Sequence, residues 1–160
     1  MKLLISGGTG FIGTPLCRTL AQRGHELLIL SRHPAQTPPM TGATYCSWDS
    51  PSWPQAAQGC EGVINLAGEP IAASRWSPQR KSLIRDSRLT ATRRLVEAMA
   101  RWPAKPAVFI NASAIGYYGP RGDEQLTEAD EPGQGFLAEP CRAWEAEALR
   151  AESFGVRAVR

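Results

Sequence analysis

The sequence predicts an α/β fold, a Rossmann-type doubly wound parallel sheet, and three observations predict it. Apolar runs of strand length alternate with longer stretches of helical period, the pattern left by successive βα units. A glycine-rich turn, Gly7-Gly8-Thr9-Gly10-Phe11-Ile12-Gly13, stands between the first apolar run and the first helical stretch. The 160 residues, 42% hydrophobic and 21% charged, suit one core and leave no room for two full domains.

Each element has a local reason. Lys2 to Ser6 reads as the first strand. Ile12, Leu16 and Leu20 then recur four apart on one helical face, and Gly24 is a natural stop. Leu27 to Leu30 is a buried second strand, and the three prolines between Pro34 and Gly42 make a loop. Thr44 to Trp48 is a third strand, Pro51 to Gln58 a short helix, and Gly62 to Leu66 a fourth strand closing on Ala67-Gly68. Ser77 is a good N-cap with Pro78 at the first helical position; Ile84, Ala91, Leu95, Ala98 and Trp102 form the stripe of a long helix that Pro103 ends. Ala107 to Ala112 is a fifth strand and Gly116 to Gly135 a loop rich in Gly, Pro and acids. The last helix spans Phe136 to Ser153, with a stripe of Leu137, Cys141, Trp144 and Ala148. The chain reaches Arg160 where a sixth strand is beginning, which predicts a sheet truncated before that strand is complete.

Several function classes are excluded. No apolar stretch approaches the roughly 20 residues needed to span a bilayer. Met1 leads straight into the first strand, leaving no space for a signal peptide, so the expectation is a cytoplasmic protein. The four cysteines, Cys17, Cys46, Cys60 and Cys141, include no CxxC pair and signal neither a metal site nor a disulfide framework. A net charge of +3, with acids mixed among the basic residues, does not imply nucleic acid.

The glycine-rich turn carries the chemistry. Gly7 suits a tight turn, Gly10 leaves room for a pyrophosphate to approach the backbone, and Gly13 allows close helix-to-strand packing. Around them Gly8, Thr9, Phe11 and Ile12 complete a loop whose helix N-terminus offers free N–H groups to phosphates. At the end of the second strand an NAD site carries an acidic residue; here stand Ser31 and Arg32. A guanidinium and a hydroxyl favour a 2′-phosphate, whereas a carboxylate would repel it, which predicts NADP(H) as the cofactor. Asp49, after the third strand, is placed to border the adenine and accept from its amine, although Asp before Ser-Pro is also ordinary turn chemistry.

Gly7 to Gly13, Asn65-Leu66-Ala67-Gly68-Glu69-Pro70-Ile71, Arg75-Trp76, Asp86-Ser87-Arg88 and Ser113-Ala114-Ile115-Gly116-Tyr117-Tyr118-Gly119 together resemble one family. It is the atypical, nucleoside-diphosphate-sugar epimerase-like branch of the extended short-chain dehydrogenases/reductases. The resemblance covers essentially the whole chain and implies that residues 1–160 are the cofactor-binding half, without the C-terminal substrate-binding part. It implies that Asn65, Leu66, Ala67 and Gly68 line the cleft beside the adenosine ribose and pyrophosphate. Ser113 falls where the superfamily's active-site Ser lies, although counting back from Tyr118-Gly119 puts Ala114 there instead.

The departures from the family pattern bear on catalysis. Typical members pair a Tyr with a Lys four residues later, the Lys lowering the phenol's pKa for acid–base work. The residues four beyond Tyr45, Tyr117 and Tyr118 are Asp49, Arg121 and Gly122, so no YxxxK exists. Leu137 aligns with the Tyr, Cys141 with the Lys, and Arg88 with a helix Asn that holds a water. Ser113, Tyr117 and Arg88 remain as candidate catalytic residues for an epimerase- or oxidoreductase-like enzyme acting on an unknown small molecule. A non-catalytic NADP(H) sensor or scaffold and an inactive fragment are the alternatives. The resemblance also implies a homodimer through the two long helices, with Leu83, Leu89, Val96 and Met99 as candidate surface.

Overall fold

The computed structural model describes residues 1–160. Lys2–Ser6 forms β1, and Gly13–Gln22 forms α1. Glu26–Ser31 is β2, Ala43–Ser47 is β3, and the four-residue helix Trp53–Ala56 is α2. Gly62–Asn65 is β4, Pro78–Arg101 is α3 and Val108–Asn111 is β5. Ala138–Leu149 is α4 and Arg157–Val159 is β6. The strands form one sheet in the order β3-β2-β1-β4-β5-β6, every neighbouring pair parallel. That is the Rossmann order, reversing direction between β1 and β4, so a cleft opens at their C-terminal ends.

Both faces of the central strands are covered. Leu3, Ile5, Leu27, Ile29 and Ile64 pack on one face against Cys17, with Leu16 and Leu20 of α1 around them. Leu4, Leu28, Leu30, Val63 and Phe109 point the other way, into a larger core with Trp53, Leu95, Met99, Trp102 and Ala148. The strands read as unbroken apolar runs because both faces are buried. Cover thins toward β6: Ile110 alternates with buried Phe109 and is 40% exposed.

Most boundaries move by a residue or two, and the differences have simple causes. Pro34–Gln36 forms a 3₁₀ turn inside the expected loop. The last helix is α-helical only to Leu149 and continues as a 3₁₀ turn over Arg150–Phe154. The sixth strand is further formed than expected: residues 157–159 already pair with β5 from Val108↔Arg157 to Ile110↔Val159. Ser77 does cap α3, its Oγ accepting from the Arg80 amide at 3.2 Å.

The proposed dimer surface needs correction. Val96 is 2% exposed and Met99 fully buried, because α3 is buried on a broader arc than the predicted stripe and sends both into the core. Leu83 is exposed and Leu89 half-buried. No helix is long and apolar enough to cross a membrane.

Candidate functional site

The turn between β1 and α1 is set by backbone sterics. Gly7 adopts φ +71°, and a Cβ there would lie 2.6 Å from the Leu66 carbonyl carbon. A Cβ on Gly13 would lie 2.1 Å from the Gly7 oxygen. Side chains are therefore forbidden where the turn presses on the end of β4 and on itself. A Cβ on Gly10 would approach only the Gly7 oxygen, at 3.3 Å, so that position is open to a close neighbour. Gly8 has a different task from the one expected: it is buried, and a Cβ would strike Ile29 at 2.8 Å and the Cys17 sulfur at 3.0 Å, so it packs the turn onto the sheet. Thr9 is exposed, and Phe11 and Ile12 are 97% and 66% exposed. The N–H groups of Phe11, Ile12 and Gly13 make no hydrogen bond within the protein and sit at the positive end of α1. A glycine cradle with unpaired amides at a helix start fits the pyrophosphate of a dinucleotide.

Across the cleft, β4 ends in a buried polar network. Asn65 is 0% exposed; its amide donates to Thr92 Oγ1 at 2.8 Å and Asn111 Oδ1 at 2.7 Å, while Oδ1 accepts from Ser6 Oγ and from the Ala67 amide. The Trp144 indole also donates to Thr92 Oγ1, at 2.8 Å. The expected cleft-lining role for Asn65 therefore changes: its side chain lies beneath the cleft and shapes the turn that follows. Leu66 and Ala67 are half-buried and Gly68 exposed.

At the end of β2, Ser31 is buried and its Oγ accepts from the His33 amide at 3.1 Å. Arg32 is 74% exposed and its Nη1 donates to Glu69 Oε1 at 2.8 Å. Asp49 is exposed and lines a cavity of about 370 Å³ with Trp53, Arg94, Glu97, Arg101 and Trp102, none of them in the glycine turn.

A second cavity of about 370 Å³ opens after β5, lined by Ser113, Ala114, Tyr117, Tyr118, Glu145 and Arg160 among others. Ser113 Oγ donates to Glu145 Oε1 at 2.5 Å, and Arg160 Nη1 donates to Glu145 Oε2 at 2.8 Å. Tyr117 and Tyr118 stack edge to face at 5.2 Å. Desolvation and the nearby Glu128, Asp130 and Glu145 carboxylates push the Tyr118 phenol above its ordinary range, which makes it a weaker acid and keeps it protonated at neutral pH. Of the two residues competing for the Ser position, only Ser113 brings a hydroxyl to this cavity; Ala114 lines it with a methyl.

Arg88 is half-buried, donates to the Glu69 carbonyl at 3.0 Å and the Ile84 carbonyl at 2.9 Å, and lies over the Trp144 ring at 5.2 Å. Burial lowers its pKa, yet the guanidinium stays charged. It bolts the turn after β4 to α3. Cys141 is 7% exposed, and burial pushes its thiol upward. It is a packing residue in the Lys place. Leu137 packs against Gly116. Sequence reasoning missed Glu145, Arg160 and Arg80, and gave Glu69 no role beyond the motif. Only Glu69 carried a signal, as the acid of the NLAGEPI run.

The family model for the NAD dependent epimerase/dehydratase family matches residues 3–159. The chain belongs to that family. Among curated relatives, it is 35% identical over 157 residues to the "Epimerase family protein SDR39U1 homolog, chloroplastic" of Arabidopsis thaliana, covering 94% of this chain and 45% of that one. It is 39% identical over 159 residues to an epimerase family protein of Mycobacterium tuberculosis, covering 97% and 50%. Among solved structures, human epimerase family protein SDR39U1 with NADPH superposes with a TM-score of 0.76 at 32% identity, covering 92% of this chain and 48% of that one. A nucleoside-diphosphate sugar epimerase from Corynebacterium glutamicum superposes with a TM-score of 0.77 at 34% identity, covering 99% and 32%. The chain spans about half the length of the curated relatives it matches.

Proposed function

We propose that this chain is the NADP(H)-binding part of an atypical short-chain dehydrogenase/reductase, an epimerase- or oxidoreductase-type enzyme for a small molecule. The observation that carries the reading is the turn from β1 to α1, with three unpaired amides behind glycines that tolerate no side chain. The amides of Phe11, Ile12 and Gly13 take the pyrophosphate, Gly10 lets it approach, and Gly7, Gly8 and Thr9 hold the loop's shape. Leu66, Ala67 and Gly68 border the adenosine ribose, with Asn65 fixing their turn, and Asp49 borders the adenine. Arg32, backed by Ser31, takes the 2′-phosphate. The NADPH of the human relative supports the phosphorylated cofactor, as does a cation in place of a carboxylate at the end of β2. When bound, the nicotinamide supplies a reversible two-electron redox group. Ser113 and Tyr117 offer hydroxyls to a carbonyl or alcohol oxygen, while Arg88, outside that cavity, holds the turn after β4 against α3. Four free cysteines support a reducing compartment such as the cytoplasm.

A second reading is a module that binds NADP(H) without turnover, and Leu137 and Cys141 favour it, since neither can replace the Tyr–Lys couple. Positioned acid–base groups contribute roughly 10²- to 10⁴-fold to rate, and substrate positioning adds a further factor. The purified 160-residue chain is therefore expected to bind cofactor and show little or no turnover of nucleotide sugars. Robust NADPH-linked reduction or epimerisation, abolished by Ser113→Ala, would overturn the binding-module reading.

A further inference from the structure

Glu69 lies in the turn after β4, and its carboxylate reaches Arg32 at the end of β2. Its backbone is fixed to α3 at both polar atoms: the amide donates to Ser87 Oγ at 3.1 Å and the carbonyl accepts from Arg88 Nη1 at 3.0 Å. Its carboxylate is thereby held between two guanidiniums. Oε1 accepts from Arg32 Nη1 at 2.8 Å and Oε2 pairs with Arg80 Nη1 at 3.3 Å. The two partners differ in burial. Arg80 is 13% exposed, and its Nη2 also donates to the Pro70 carbonyl, whereas Arg32 is 74% exposed and has no other partner. The Arg80 Nε is buried with no hydrogen-bond partner in the protein.

We infer that Glu69 is a cofactor-specificity residue, which competes with the 2′-phosphate of NADP(H) for Arg32 and favours the 2′-hydroxyl of NAD(H). The inference rests on the proposed nicotinamide-nucleotide binding. Arg32 is the mobile member of the cluster: an exposed ion pair contributes little, so a dianionic phosphate can draw it away from Glu69 at small cost. Glu69 cannot follow, because its backbone is bolted to α3 and Arg80 holds its other oxygen. Its negative charge therefore remains beside the incoming phosphate and weakens that site. A ribose hydroxyl behaves oppositely, since it can donate to a carboxylate that accepts. One carboxylate thus works against one cofactor and for the other, and sets the ratio of their affinities.

The test is nicotinamide-fluorescence titration of the 160-residue chain with NADPH and with NADH, for wild type, Glu69→Gln, Arg32→Ala and the double variant. Glu69→Gln is expected to tighten NADPH about three- to tenfold and leave NADH unchanged or weaker. In the Arg32→Ala background the same change should still tighten NADPH through lost repulsion, but by a smaller factor than in wild type, because the contested cation is gone. An NADPH-to-NADH affinity ratio that stays within about twofold of wild type in Glu69→Gln, with wild-type circular dichroism, overturns the role of Glu69 and leaves nucleotide binding standing. Should Glu69→Gln not fold, Glu69→Asp, whose carboxylate is drawn back from Arg32, must raise the ratio in the same direction or the inference falls. Wild type binding neither nucleotide overturns the binding reading and the role of Glu69 together.

Discussion

The glycine turn after β1 and the cavity after β5 lie at the same end of one sheet, yet they are built by different means. The first is made of backbone: Gly7 and Gly13 exclude side chains, Gly10 leaves open space, and the binding groups are amides that the chain presents whatever its neighbours are. The second is made of side chains brought from afar. Ser113 reaches Glu145, 32 residues away on α4, and Glu145 reaches Arg160 beyond β6. The first region fits a dinucleotide pyrophosphate; the second holds no Tyr–Lys couple but a Ser–Glu–Arg cluster. A site of backbone geometry tolerates drift elsewhere in the chain. A site of side-chain chemistry can be rewritten by a few substitutions.

This contrast can be broken at the backbone first. Gly13→Ala is expected to have the largest effect, because its Cβ would sit 2.1 Å from the Gly7 oxygen and nothing flexible can yield. The expected loss is roughly 3 kcal/mol or more in urea denaturation, together with nucleotide binding. Wild-type stability in that variant would show that the turn can re-form around a side chain.

Asn65→Ala should come next. It strips partners from Ser6, Thr92, Asn111 and the Ala67 amide in a fully buried network, for an expected loss of about 2 to 3 kcal/mol. NADPH affinity should fall as well, since the turn bearing Leu66 to Gly68 loses its anchor. A stability loss without a change in affinity would separate the network from the cleft.

Alkaline pH should loosen the packing beneath the first region. Burial pushes the Cys17 thiol, which lies under Gly8, and the Cys60 thiol from 9.0 up to about 11. Between those values the unfolded chain releases protons that the folded chain keeps, so stability is intact below about pH 9 and falls as pH rises toward 11. Urea midpoints at about pH 8 and about pH 10.5 check this, and Cys17→Ala should reduce the difference by about half, the Cys60 share remaining.

The smallest effect belongs to the outer face of α3. With Val96 and Met99 in the core, the proposed dimer keeps exposed Leu83 and half-buried Leu89. Leu83→Glu is expected to change stability by less than about 0.5 kcal/mol while lowering any dimer seen by sedimentation. A monomer at every concentration in wild type would remove the dimer from the account.

The same contrast explains what was legible in the sequence. Strand runs, the glycine spacing and the Ser77-Pro78 start are local signals, and each has its cause within a few residues. Alternation predicts a doubly wound parallel sheet, and the structure supplies its order, β3-β2-β1-β4-β5-β6. Hidden were the pairings across long separations: Glu145 with Ser113, Glu69 with Arg32, and Asn65 with Thr92 and Asn111. Nothing in a local pattern tells a buried Asn that holds a turn from one that faces a ligand. Val96 and Met99 were misplaced for a related reason: a helical stripe marks one buried face, and α3 is buried over more than that.

The central claim is that the glycine turn and Arg32 form an NADP(H) site. Titrating wild type and Arg32→Ala with NADPH and NADH by nicotinamide fluorescence tests it most directly. A charge-assisted hydrogen bond to the 2′-phosphate is worth roughly 1.5 to 3 kcal/mol, so wild type should bind NADPH about tenfold or more tighter than NADH. Arg32→Ala should lose most of that difference while its NADH affinity hardly moves. Equal affinities in wild type, or a preference that survives loss of Arg32, would contradict the account.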